Sequence, residues 1–163
     1  MTPIGRRTVL KLAAGTVALA ALPSVSAARA GSSRPARAVA HDDHLSIRFD
    51  ARMHTAIERG GIAMTGFQPS EGLLLADGSE LQDFAFVDER IEPLDDARHG
   101  SGRRHVLRGR SAGGIEKTVD LTFYARYPGL AILATTYRNG GDAPLELAGW
   151  RNAAHELEDA PGG

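Results

Sequence analysis

Four groups of side chains in this chain have types and spacings that could do chemistry. Asp88, Glu89, Glu92, Asp95 and Asp96 are the densest carboxylates, and calcium takes about six to eight such oxygens. The cluster lacks the alternating spacing and fixed glycine of a calcium loop. Arg90, Arg98, Arg103 and Arg104 balance it, so it reads as a solvated hairpin. His41-Asp42-Asp43-His44 offers imidazole and carboxylate to a metal. It stands where a domain begins, and a working metal site needs ligands braced by outer hydrogen bonds. His99 and His105 flank a glycine-rich turn with Ser101, and Ser111 follows. The Gly-x-Ser-x-Gly elbow that would expose a nucleophile is absent. There is no cysteine, which removes thiol catalysis, disulfides, iron–sulfur clusters and Cys-zinc sites. No phosphate loop, dinucleotide fingerprint or zinc spacing occurs. None of the 20 acids is marked out as part of a glycosidase pair. The chain is therefore expected to carry no catalytic residue, no cofactor and no metal.

The fourth group is Trp150-Arg151-Asn152 with His155. A flat indole stacks on the apolar face of a pyranose, while guanidinium and amide can hydrogen-bond its hydroxyls. Equally, a small sandwich can bury its single tryptophan in the core or at a domain interface. Leu145, Leu147 and Gly149 share one face of their run, while Glu146, Ala148 and Trp150 share the polar one. That parity tilts Trp150 outward. Trp150, Arg151, Asn152 and His155 are the candidate contact to carbohydrate or to a neighbouring domain.

The elements that must hold these residues have a period of two. Leu45, Ile47 and Phe49 alternate with Ser46, Arg48 and Asp50. In 115–126, Ile115, Val119, Leu121, Phe123 and Ala125 share one parity, and mostly polar residues take the other. Alternation gives a strand one buried and one wet face. Lys117 breaks the inward set, near the strand start, where its head is expected to reach water. The run 130–137 is apolar throughout and suits a strand in mid-sheet. The expected core includes Ile115, Val119, Leu121, Phe123, Ile132 and Leu133. Further strands are expected at 53–58, 61–66, 71–76, 81–91, 104–110 and 145–150. Turns are marked by Asp77-Gly78, Ser101-Gly102, Tyr127-Pro128-Gly129 and the stretch from Asn139 to Pro144. This rhythm predicts an all-β fold, an antiparallel two-sheet β-sandwich of the supersandwich-like kind.

The first thirty residues read as an address. Arg6-Arg7 precedes a short apolar run, Leu12 to Leu22, and a small-residue exit, Ser24 to Ala30. This is an export signal of twin-arginine type, a cleavable signal helix over 1–30. The run is too short for a permanent span of about twenty residues, so no stable membrane insertion is expected. Cleavage is placed between Ala27 and Gly31, a flexible linker over 31–43 and the sandwich over 44–163. The expected location is periplasmic or secreted, in a bacterium, with the twin-arginine translocase as a partner during export. Net charge is −1, and only Lys11 and Lys117 accompany the arginines. Removal of the signal leaves the domain acidic, which argues against nucleic-acid binding.

Glu116-Lys117-Thr118-Val119, Thr122-Phe123-Tyr124, Tyr127-Pro128-Gly129-Leu130, Thr136-Tyr137-Arg138-Asn139, Ala143-Pro144-Leu145 and Trp150-Arg151-Asn152 with His155 form a recognisable succession. It resembles the N-terminal β-sandwich domain of melibiase-type, α-galactosidase-like glycoside hydrolases. The resemblance implies a catalytic barrel after the sandwich. A barrel needs about 250 residues, and the chain stops at Gly163, so no catalytic residue carries over. The expected function is an exported, non-catalytic module or fragment of such an enzyme. Its partner is the missing C-terminal catalytic domain or carbohydrate. The alternatives are a stand-alone periplasmic sandwich binding glycan or protein, and a small enzyme in its own right. Replacing Arg6 and Arg7 together by lysine is expected to abolish export, read as precursor accumulating in the cytoplasm. Undiminished export of that variant would refute the twin-arginine route.

Overall fold

The computed structural model describes residues 2–4, 9–13 and 36–157. Thirteen strands occur among them, and no helix. They are β1 (Thr2–Ile4), β2 (Val9–Ala13), β3 (Ala38–His41), β4 (Leu45–Phe49), β5 (Thr55–Arg59), β6 (Ile62–Ala63), β7 (Gly72–Leu75), β8 (Glu80–Leu81), β9 (Ala85–Asp96), β10 (Gly100–Arg110), β11 (Ile115–Tyr124), β12 (Ala131–Asn139) and β13 (Leu145–Arg151). The fold is all-β, as the alternation requires. Arg6, Arg7 and most of the expected signal helix lie outside the described residues. Thr2–Ile4 and Val9–Ala13 are extended and pair with β13 and β12.

Three antiparallel sheets, ordered β1-β13-β7-β8, β2-β12-β11-β10-β9 and β3-β4-β5-β6, share one core. This is consistent with a β-sandwich. The five-stranded sheet supplies Leu107, Ile115, Val119, Leu121, Phe123, Ala131, Leu133 and Tyr137; the other two bring Ala38, Ala40, Ile47, Phe49 and Leu73. Strand β11 is buried and half-buried in strict alternation along its whole length.

Four expectations need correction. Ile132 is half-buried, not core. Its partner across the ladder is Thr122, on the outer face, while Leu133 faces Leu121. Lys117 does not reach water; it is buried in mid-sheet between β10 and β12. Ala38–His41, placed within the linker, forms β3 on β4, because Ala38 and Ala40 are small enough to pack against the core. Ser101-Gly102 is strand, not turn. The β9–β10 hairpin turns at 97–99, and Gly100 takes the left-handed conformation there with φ of 83°.

β9 is the outer strand of the five-stranded sheet. Val87 and Ile91 are exposed on it. Pro93, the shift of register opposite Arg108 and Gly109, and the charges of Asp88, Arg90 and Glu92 blunt this edge against further pairing. The alternation in β11 predicts unequal costs for two adjacent truncations. Phe123→Ala should lose about 3–5 kcal/mol by urea denaturation, and Tyr124→Ala much less. Equal losses would refute the register.

Candidate functional site

The last strand carries the candidate residues, and its parity divides them. In β13, Leu145, Leu147 and Gly149 are half-buried while Glu146, Ala148 and Trp150 face solvent. Trp150 is 58% exposed. Arg151 Nη2 donates to Glu80 Oε1 at 3.1 Å, and Gln82 Nε2 donates to the other oxygen, Glu80 Oε2. Trp150, Arg151, Glu80, Gln82 and Leu74 line a shallow cavity of about 160 Å³ floored by the backbone at Gly72 and Gly149. Enclosed small-molecule sites run to about 300–1,000 Å³. The cavity is thus a surface platform: an aromatic plate beside a fixed fork of donors and acceptors.

Asn152 and His155 do not join that platform. Asn152 Oδ1 accepts from Thr135 Oγ1 at 3.2 Å. His155 Nε2 lies 2.7 Å from Thr55 Oγ1. The chain leaves β13 through Ala153, which has φ of 52°, and this turns the next residues back over the body.

The other sequence candidates resolve into structural parts. In the acidic hairpin, Arg108 Nε donates to Asp88 at 2.7 Å and Arg104 Nε to Glu92 at 3.1 Å. Asp96 accepts from the backbone N–H groups of Arg98 and His99, both at 2.8 Å, closing the turn. Burial opposes ionisation of Asp42, but backbone N–H bonds from Gly129, His44 and Leu45 outweigh it and hold the carboxyl below its ordinary value. Asp42 is therefore a loop clasp. His105 Nδ1 meets Glu89 Oε1 at 2.8 Å rather than a serine. Ser111 Oγ accepts from Ile115 N–H at 3.0 Å. No group of three or more metal-ligating side chains occurs among the described residues.

Sequence reading missed a buried polar cluster. Lys117 Nζ lies 3.3 Å from Glu71 Oε2 and 3.2 Å from the Glu71 carbonyl, with the two side chains 1% and 0% exposed. Nζ also sits 5.2 Å from the centre of the Phe84 ring, a cation–π contact. Ser70 Oγ donates to Glu71 Oε1 at 2.6 Å, and Thr55 Oγ1 bonds Ser70 Oγ. Burial pushes the Lys117 ammonium below the ordinary lysine value, and Glu71 pulls the other way. Tyr137 is buried nearby; its hydroxyl has no hydrogen-bond partner among the described residues, and burial pushes its pKa up. The signal was present in part: Lys117 occupied an inward position. Its partner, 46 residues away, carried none.

Comparison with protein-family models, curated proteins and solved structures finds no match for the chain.

The cluster predicts a non-additive pair. Lys117→Met strands a buried carboxylate and should cost about 3–5 kcal/mol by urea denaturation. Adding Glu71→Gln should restore most of that stability. Tyr137→Phe should leave stability unchanged or raise it, since a buried hydroxyl without a partner costs about 1–3 kcal/mol.

Proposed function

We propose that the chain is an exported, non-catalytic β-sandwich module of a carbohydrate-active, α-galactosidase-like glycoside hydrolase. The observation that carries this reading is Trp150, 58% exposed beside the Arg151–Glu80 pair. An exposed indole flanked by a guanidinium, a carboxylate and an amide suits a pyranose ring. It also suits the polar rim of a neighbouring catalytic domain. The succession of strand and turn phrases from Glu116 to His155 connects this surface to that enzyme class. Of the candidate groups, Ser111, His105 and Asp42 are each tied to a neighbouring side chain or to the backbone.

A second reading, a free-standing glycan-binding sandwich, is favoured by the same platform. In either, Trp150 emission should be red-shifted and quenched by iodide in the pure full chain. Galactosides should shift that emission if the platform takes sugar directly, and Trp150→Ala should then weaken binding by about 2 kcal/mol or more. Unchanged emission assigns the surface to a neighbouring domain. The pure chain should not hydrolyse an aryl α-galactoside. Turnover abolished by a single Asp or Glu substitution would overturn the non-catalytic reading.

A further inference from the structure

Gly149 stands in the last strand with no packing or backbone reason to be glycine. Its φ is not positive, so its backbone suits residues with side chains. Among the described residues an added Cβ would meet only Leu74 Cδ2, at 4.0 Å, an ordinary contact. Glycine inside a strand weakens it, and often marks a place where a ligand or another backbone comes close. Gly72, in β7, is different: a Cβ there would come within 2.9 Å of the Leu81 carbonyl. Gly149 thus leaves open the floor of the cavity of about 160 Å³ lined by Trp150, Arg151, Glu80, Gln82 and Leu74. The ladder of β13 on β7 shifts register between Leu147 and Gly149. Such an irregularity re-aims the residues beside it, here Trp150 and Arg151.

The rim above that floor is electrically closed. Glu80 and Arg151 are the charged side chains that line the cavity, opposite in sign and paired at 3.1 Å. Arg151 donates to Glu80 Oε1 and Gln82 to Glu80 Oε2. The guanidinium keeps further N–H donors, and each carboxylate oxygen keeps a lone pair. A hydroxyl donates and accepts at once. Hydroxyls on adjacent ring carbons can therefore accept from Arg151 and donate to Glu80 without parting the pair. A carboxylate only accepts: it gains Arg151 but lies against Glu80. An ammonium only donates: it gains Glu80 but lies against Arg151. Either must break the pair or bear a like charge, which disfavours it as a partner. We propose, resting on the carbohydrate reading of this surface, that floor and rim take a single uncharged pyranose ring and turn away uronic acids and amino sugars. The ring stacks on Trp150 while its hydroxyls bridge Arg151 and Glu80.

Floor and rim make separate demands. A side chain at Gly149 would occupy the space that a ring needs, whatever the charge of the ring. Valine is favoured in strands, and Leu74 leaves room for its Cβ, so Gly149→Val keeps the sheet and fills the floor. Glu80→Gln acts on charge. Glutamine has nearly the same shape and keeps an oxygen to accept from Arg151, but it leaves the guanidinium uncompensated. The side chains of Arg151 and Glu80 are 44% and 40% exposed. A pair so open to water contributes little to stability, and its loss should not unfold the chain. A uronate then meets an uncompensated cation in place of a closed pair.

Trp150 is the only tryptophan in the chain, so its emission reports on this surface alone. The full chain should be titrated with methyl galactoside, methyl galacturonoside and galactosamine. The neutral sugar should bind at least about tenfold more tightly than either charged one. In Glu80→Gln the galacturonoside should overtake it. In Gly149→Val no sugar should shift the emission, while iodide still quenches it and circular dichroism still shows the sheet. A charged sugar that binds the unaltered chain as well as the neutral one overturns the proposal and leaves the carbohydrate reading standing. Silence toward all three overturns it together with direct sugar binding by the platform. An unchanged response in Gly149→Val, or an unchanged order in Glu80→Gln, overturns it as well.

Discussion

A lysine and a glutamate, both out of water, set the terms for the rest of this fold. Each ion of that size costs several kcal/mol to desolvate even after relaxation. The structure offsets this by surrounding the pair. Lys117 receives a carboxylate, a carbonyl and the face of Phe84; Glu71 receives Lys117 and Ser70. Lys117 comes from β11, and its partners from the segments just before β7 and β9, so the pair is satisfied only when these parts close in one register. A displacement of β11 by one residue would turn Lys117 to solvent and leave Glu71 alone in an apolar interior. The apolar residues supply the drive to collapse, and the ion pair rejects collapsed arrangements that misplace it.

The exposed platform lies directly beside this arrangement along the chain. Gly72, immediately after Glu71, begins β7, which pairs with β13 and so carries Trp150 opposite Leu73. Leu73 is buried while Trp150 is largely exposed, just past the register shift between Leu147 and Gly149. The close packing at Gly72, where an added Cβ would come within 2.9 Å of the Leu81 carbonyl, draws β8 in and brings Glu80 to Arg151. Interior constraint and surface chemistry thus meet within three consecutive residues, Glu71 to Leu73.

How much of this was legible from residues alone depended on the range of the interaction. Period-two alternation is a local property, and it placed β4, β11 and β13 with the correct inward parity, including the outward Trp150. The turns at Gly78 and Gly129 were legible because both adopt positive φ, which glycine tolerates. The short strand β3 was not, since two alanines separated by a valine resemble a linker until a core is present to bury them. Ile132 misled because an apolar residue on the outer face of a central strand has the same composition as one inside. The polar cluster was opaque for a different reason. Ser70, Glu71, Thr55 and Lys117 are ordinary surface residues in isolation, and only tertiary pairing makes them interior. Asn152 and His155 fell in the same class: adjacent to Trp150 in sequence, they turn away from it after a left-handed alanine.

The contact between Thr55 and His155 spans 100 residues. A growing polypeptide can pair β4 with β5, and later β9 with β10, as soon as each hairpin is made. It cannot close the file of hydroxyls over Glu71 until the far end of the described chain has been synthesised. Before then Thr55 has no imidazole to bond. Closure of that file therefore comes after the long strands that make up most of the sheet area.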